Sequence, residues 1–67
     1  MEIKYITSYT NNIGKHKHPI YLIVREDSLG KTIYDLECKL EIYAGAWTTV
    51  YEDSVERYKK GELKLYE

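Results

Sequence analysis

The chain has 67 residues, ten basic and eleven acidic side chains for a net charge of −1, and a single cysteine. That length supports one core, hence a single domain over 1–67, and a domain this small buries only about 60% of the surface its unfolded chain exposes. One cysteine excludes an internal disulfide, and the near-balanced charge argues against a protein held to nucleic acid chiefly by phosphate neutralisation.

Residues 2–10, Glu-Ile-Lys-Tyr-Ile-Thr-Ser-Tyr-Thr, are rich in β-branched and aromatic side chains and predict a strand. Ile3, Tyr5, Thr7 and Tyr9 share one of its faces at period two. Asn11-Asn12-Ile13-Gly14 is a turn signal, and the loop is expected to continue through Lys15-His16-Lys17-His18. Pro19 lacks a donor and suits the first residue of the next strand. Ile20 to Arg25 is that strand, and its near-continuous apolar run suggests burial on both faces and a central position. Glu26 to Lys31 reads as a hairpin loop with Gly30 in the left-handed conformation.

Residues 32–43 fit two templates. Tyr34, Leu36, Cys38, Leu40 and Ile42 alternate with Asp35, Glu37, Lys39 and Glu41 as in a half-buried strand. Ile33, Leu36, Leu40 and Tyr43 also form a helical stripe. The sustained alternation after a hairpin signal favours the strand. Gly45 then marks a bulge or turn, and Trp47 to Tyr51 a fourth strand. Asp53 or Ser54 can cap a short helix over residues 55–60, with acids at its start, lysines at its end and Gly61 as its stop. Leu63 to Tyr66 alternates and suits a final edge strand. The expected fold is α+β: a small, mainly antiparallel sheet of four or five strands with one short helix near the C-terminus.

Eight tyrosines, one tryptophan and no phenylalanine mean that every aromatic ring carries a polar handle. Such rings tolerate half-burial and are the aromatics that protein interfaces favour. Tyr43, Trp47 and Tyr51 lie four apart around Ala44, Gly45 and Ala46, large rings flanking a small-residue dip that lets another chain approach. The plain alternative is that Trp47 fills a core without phenylalanine. Glu37 and Glu41, extended by Glu52 and Asp53, form an acidic set able to meet a basic partner, or simply a solvated face.

Lys15-His16-Lys17-His18 is the dense basic cluster. It can contact an anion or nucleic acid, more strongly as pH falls through the histidine range, or be a solvated loop without a partner. His16, His18 and Cys38 fall short of the four ligands of a structural zinc site, and Cys38, in phase with Leu36 and Leu40, reads as a buried inert thiol. Gly30-Lys31-Thr32 lacks the first glycine and the strand–loop–helix frame of a phosphate-binding loop. No metal or other cofactor is expected.

These residues point first to a small protein–protein interaction module, an inhibitor or adaptor that occludes a partner through Tyr, Trp and acidic residues. The Ile-, Tyr- and Lys-rich usage is common in AT-rich genomes, phages and mobile elements among them, which makes a host protein the expected target. The alternatives are a nucleic-acid-binding β domain using the basic loop and stacking tyrosines, and a homodimer that supplements a small core by self-association. Enzymatic activity is not expected, for want of a poised acid–base pair or an enclosed pocket. Residues 1–5 lack the apolar core of a secretory leader, and Ile20–Val24 is too short to span a bilayer. A cytoplasmic protein without membrane contact is the corresponding expectation.

Overall fold

The computed structural model describes residues 1–66. Strand β1 (Glu2–Ile13) and strand β2 (His16–Glu26) form a long antiparallel hairpin. Ile13 pairs with His16 across a turn at Gly14 and Lys15, where Gly14 has φ +62°. A glycine first in a two-residue loop matches the twist of the flanking strands. The strands therefore extend through the segment expected to be a loop. His16, Lys17 and His18 are ladder residues opposite Ile13, Asn12 and Asn11, and Pro19 lies inside β2, paired with Thr10.

Pro19 is tolerated there because, counting from the bonded Ile13–His16 pair, Thr10 and Pro19 form a non-hydrogen-bonded pair, so its missing N–H costs no bond to β1. The register shifts between Ile6 and Thr10, which face Tyr21 and Pro19, so residues 7–9 bulge opposite Ile20. Ser8 takes φ +72° there. The buried Thr7 hydroxyl donates to the Ile20 carbonyl at 2.6 Å and accepts the Tyr9 N–H at 3.1 Å, so a side chain replaces the missing ladder bonds. Thr7 and Tyr9 thereby stay on the same side of the sheet as Ile3 and Tyr5.

Strand β3 (Thr32–Glu37) pairs with β2 through a loop tied by Asp27, whose carboxylate accepts the Leu29 and Lys31 N–H groups. Gly30 takes φ +79° as expected. Beyond Glu37 the alternation no longer means strand. The Cys38 thiol leans on the His18 carbonyl, and the Asn11 side-chain amide donates to the Leu40 and Glu41 carbonyls. These contacts lay residues 38–43 beside the hairpin as irregular chain.

One helix follows, α1 (Ala44–Lys59), and it is longer than expected. Gly45 lies in its first turn, Trp47–Tyr51 is helical, and Asp53 and Ser54 are interior residues and not caps. Trp47, Val50, Tyr51, Ser54 and Tyr58 recur at i, i+3, i+4, i+7 and i+11, one stripe laid on the sheet. Burial of that stripe outweighs the strand propensity of Thr48-Thr49-Val50-Tyr51, which amounts to tenths of a kcal/mol per residue. The hydroxyls of Thr48 and Thr49 bond back to the Ala44 and Gly45 carbonyls. The N-cap, Tyr43, makes no side-chain bond, and the first turn has no acid.

The C-terminal end is as expected. Gly61 takes φ +75°, its N–H donates to Tyr58, and the Glu62 N–H reaches back to Arg57. That paired bond set terminates a helix at a left-handed residue. A two-residue edge strand, β4 (Lys64–Leu65), then pairs with Tyr5 and Ile6 of β1. The sheet order is β3-β2-β1-β4, all antiparallel, with one helix near the C-terminus: a small α+β fold.

The core lies between α1 and the sheet, where Ile20, Leu22, Val24 and Val50 are buried. Tyr58 closes its far end edge-on to Tyr5 at 5.0 Å and Tyr34 at 5.7 Å. Among the described residues, no helix is long and apolar enough to cross a membrane.

Candidate interaction surfaces

The helix entry carries the first surface. Tyr43 is 76% exposed, while Trp47 and Tyr51 are half-buried and stack on each other at 4.6 Å with an interplanar angle of 13°. The three rings expected to act together are thus split by depth. Trp47 belongs to the core-facing stripe, and Tyr43 projects. Residues 40–56 contain Glu41, Glu52, Asp53 and Glu56 and no lysine or arginine, so this surface is acidic.

Its four candidate acids are not equivalent. Glu41 and Glu52 are exposed. Asp53 turns inward, accepting the Tyr9 hydroxyl at 2.8 Å, with Arg57 3.6 Å from the same oxygen. Arg57 also donates to the Thr7 carbonyl at 2.7 Å, which ties the helix to the bulge. The bond to Asp53, followed by burial, raises the Tyr9 pKa above its ordinary value. Glu37 is on the opposite side of the sheet, paired with Lys4. The acidic set expected from spacing is therefore not one face.

The free end of the β1–β2 hairpin is the second surface. Strand β3 pairs only with Tyr21–Glu26 and β4 only with Tyr5 and Ile6, so the end from Thr10 to Pro19 has neither beside it. This ribbon gives the molecule its long axis, 41 Å against 21 and 20 Å. From Ile3 to Arg25 the chain contains Lys4, Lys15, Lys17, Arg25 and two histidines and no aspartate or glutamate. The structure concentrates that cationic stretch in one hairpin. The His16 and His18 rings lie 6.2 Å apart, as expected of i, i+2 residues in a strand. Among the described residues, no three His, Cys, Asp or Glu side chains come together in a way that could hold a metal ion. Cys38 is half-buried and free, and its thiol meets the His18 carbonyl and not an imidazole.

The third surface is the sheet face opposite the helix, which the spacing arguments missed. Register places its side chains in rows across the four strands. One row runs Lys64, Ile6, Tyr21, Glu37. The next runs Tyr66, Lys4, Ile23, Asp35, with the Tyr66 N–H on the Lys4 carbonyl. A third holds Glu2, Arg25 and Ile33.

Tyr21 and Tyr66 pack at 4.8 Å, and the Lys4 ammonium lies 5.2 and 5.1 Å from their ring centres. Its hydrogen bond to Glu37 raises the Lys4 pKa, against a smaller lowering by burial. Ile23, on this same face, is only 6% exposed, screened by its long neighbours. A signal for this surface existed in the run Ile20–Val24. A strand with one covered face should alternate, so its odd members, Tyr21 and Ile23, mark an apolar second face.

A cleft of about 330 Å³ near Met1 is lined by Ile3, Val24, Tyr58, Arg25, Glu26 and Thr32, with a single carboxylate among them. Compared with known proteins, the chain matches no family model, no curated protein and no solved structure.

Proposed function

We propose that the protein is a protein-binding module that works by occlusion, an inhibitor or adaptor whose contact surface is the acidic, aromatic helix entry. The observation that carries this reading is the 76% exposure of Tyr43 beside the Trp47–Tyr51 stack, in a stretch whose charges are all negative. A projecting tyrosine loses little rotamer freedom on docking and anchors an interface through ring area and hydroxyl together. Glu41 and Glu52 then set register against a basic patch on the partner. Expressed by a phage or mobile element, such a module would act on a host protein in the host cytoplasm.

The test is capture of partners from a nuclease-treated bacterial lysate by the wild type and by Tyr43→Ala and Glu52→Lys. Both positions are exposed in the fold, so neither substitution disturbs the core. A stoichiometric protein partner lost with both variants is the expected result. A partner retained by both overturns the assignment of this surface.

The acid-free stretch from Ile3 to Arg25 within the hairpin supports a second reading, nucleic-acid binding through Lys15, His16, Lys17 and His18. A two-stranded ribbon fits the major groove of a duplex, and the tip would supply phosphate contacts. Titrating duplex and single-stranded oligonucleotides at rising salt decides it. Binding that weakens steeply with salt supports the hairpin, and no binding at low salt rejects it.

A further inference from the structure

We infer that the helix-free sheet face is an isologous dimer interface, occupied by a second copy of this chain stacked sheet on sheet about a two-fold axis parallel to the strands.

Charge complementarity carries the inference. Viewed across the sheet, the order β3-β2-β1-β4 puts Asp35 and Glu37 at one edge and Lys64 at the other. Two in-plane two-folds can stack this face on itself. An axis perpendicular to the strands lays each strand over its own copy, acids over acids. An axis parallel to the strands, between β1 and β2, lays β1 over the partner's β2 and β4 over the partner's β3.

Row by row, the second choice sets Lys64 against Glu37, Glu2 against Arg25 and Ile6 against Tyr21 of opposite copies. Tyr66 comes over Asp35, so its hydroxyl gains an acceptor. The three acids and three cations of the face balance, and two charge pairs form in each symmetric half. Such a mirror-ordered pattern is what a self-complementary patch requires. Strands of the two copies would cross at about 30° as in other stacked sheets.

The fold also has reason to associate. One helix covers one side of the sheet, and the buried apolar residues are Ile20, Leu22, Ile23, Val24 and Val50. Ile6 and Tyr66, 36% and 45% exposed, sit on the uncovered side. The face measures roughly 17 Å along the strands and 14 Å across them, which places the dimer among small, rapidly exchanging interfaces.

Single charge reversals test the geometry. Lys64→Glu sets glutamate over Glu37 at both symmetric contacts, and Glu37→Lys sets lysine over Lys64. Each variant alone should dimerise about tenfold more weakly than the wild type. Mixed one to one, they restore both contacts, and a heterodimer of wild-type strength should form. Sedimentation of the wild type to about 1 mM reads the association, since even a weak interface is populated there. Native mass spectrometry of the mixture reads the pairing, and circular dichroism confirms that both variants fold. A wild type that stays monomeric throughout, variants that dimerise as the wild type does, or a mixture with no heterodimer would each overturn the proposal. A monomeric wild type would leave the face to a different partner.

Discussion

The bulge at residues 7–9 rests on one hydroxyl, and Thr7→Val removes it while keeping the branched shape. Thr7 is fully buried, so no water replaces what is lost. The Ile20 carbonyl loses its 2.6 Å donor and the Tyr9 N–H its 3.1 Å acceptor. Two hydrogen bonds at about 1 kcal/mol each, with the desolvation of the groups left behind, put the cost at about 3 kcal/mol. A domain of this size holds only about 3–10 kcal/mol in all, so the variant should unfold early or be partly unfolded at 25 °C. Thr7→Ser keeps the hydroxyl and deletes a buried methyl, which costs about 1 kcal/mol. Urea denaturation followed by Trp47 fluorescence and far-UV circular dichroism measures both. A valine variant within about 0.5 kcal/mol of the wild type, or a serine variant less stable than the valine one, would refute the role given to the hydroxyl.

Ser54 is the converse case: its hydroxyl is fully buried with no hydrogen-bond partner among the described residues, so Ser54→Ala should stabilise the fold by about 1 kcal/mol in the same assay. Tyr9 titrates above the ordinary 10.0 because its hydroxyl donates to Asp53 and is part-buried. The stability from that bond is full below about pH 10 and is lost as pH rises through the folded-state value. Thermal unfolding between pH 8 and 12 should show a decline that Tyr9→Phe reduces, and an identical profile in the variant would count against the bond. Gly61→Ala forces a side chain into φ +75° at the helix stop and should lower the urea midpoint by the equivalent of about 1 kcal/mol.

The predicted surface residues show how far spacing reaches. Tyr43, Trp47 and Tyr51 are spaced four apart, but only Trp47 and Tyr51 fall on the helix stripe, because Tyr43 is the extended N-cap that precedes α1. Their depths differ because α1 turns Trp47 toward the sheet while Tyr43 remains outside at the cap. Glu37 and Asp53 looked free in the sequence, but Lys4 and the Tyr9–Arg57 pair engage them from other elements. Of the basic cluster expected to be a loop, Lys15 stays in the turn, but His16 to His18 are strand residues, since a glycine at the first turn position lets the ladder close up to His16.

By itself, the sequence determined the features that local chemistry sets. β-branched and aromatic composition marked β1, the apolar run Ile20–Val24 marked the inner part of β2, and period-two alternation marked the first half of the 32–43 segment. Glycines at residues 30 and 61 marked a loop and a helix stop because only positive φ suits those positions. Only the tertiary structure decided where α1 begins, how the hairpin bulges opposite Ile20, and which tyrosines face water. Each of these depends on burying a stripe or satisfying a backbone group from a distant strand. Such terms, at one to several kcal/mol, override propensities of a few tenths.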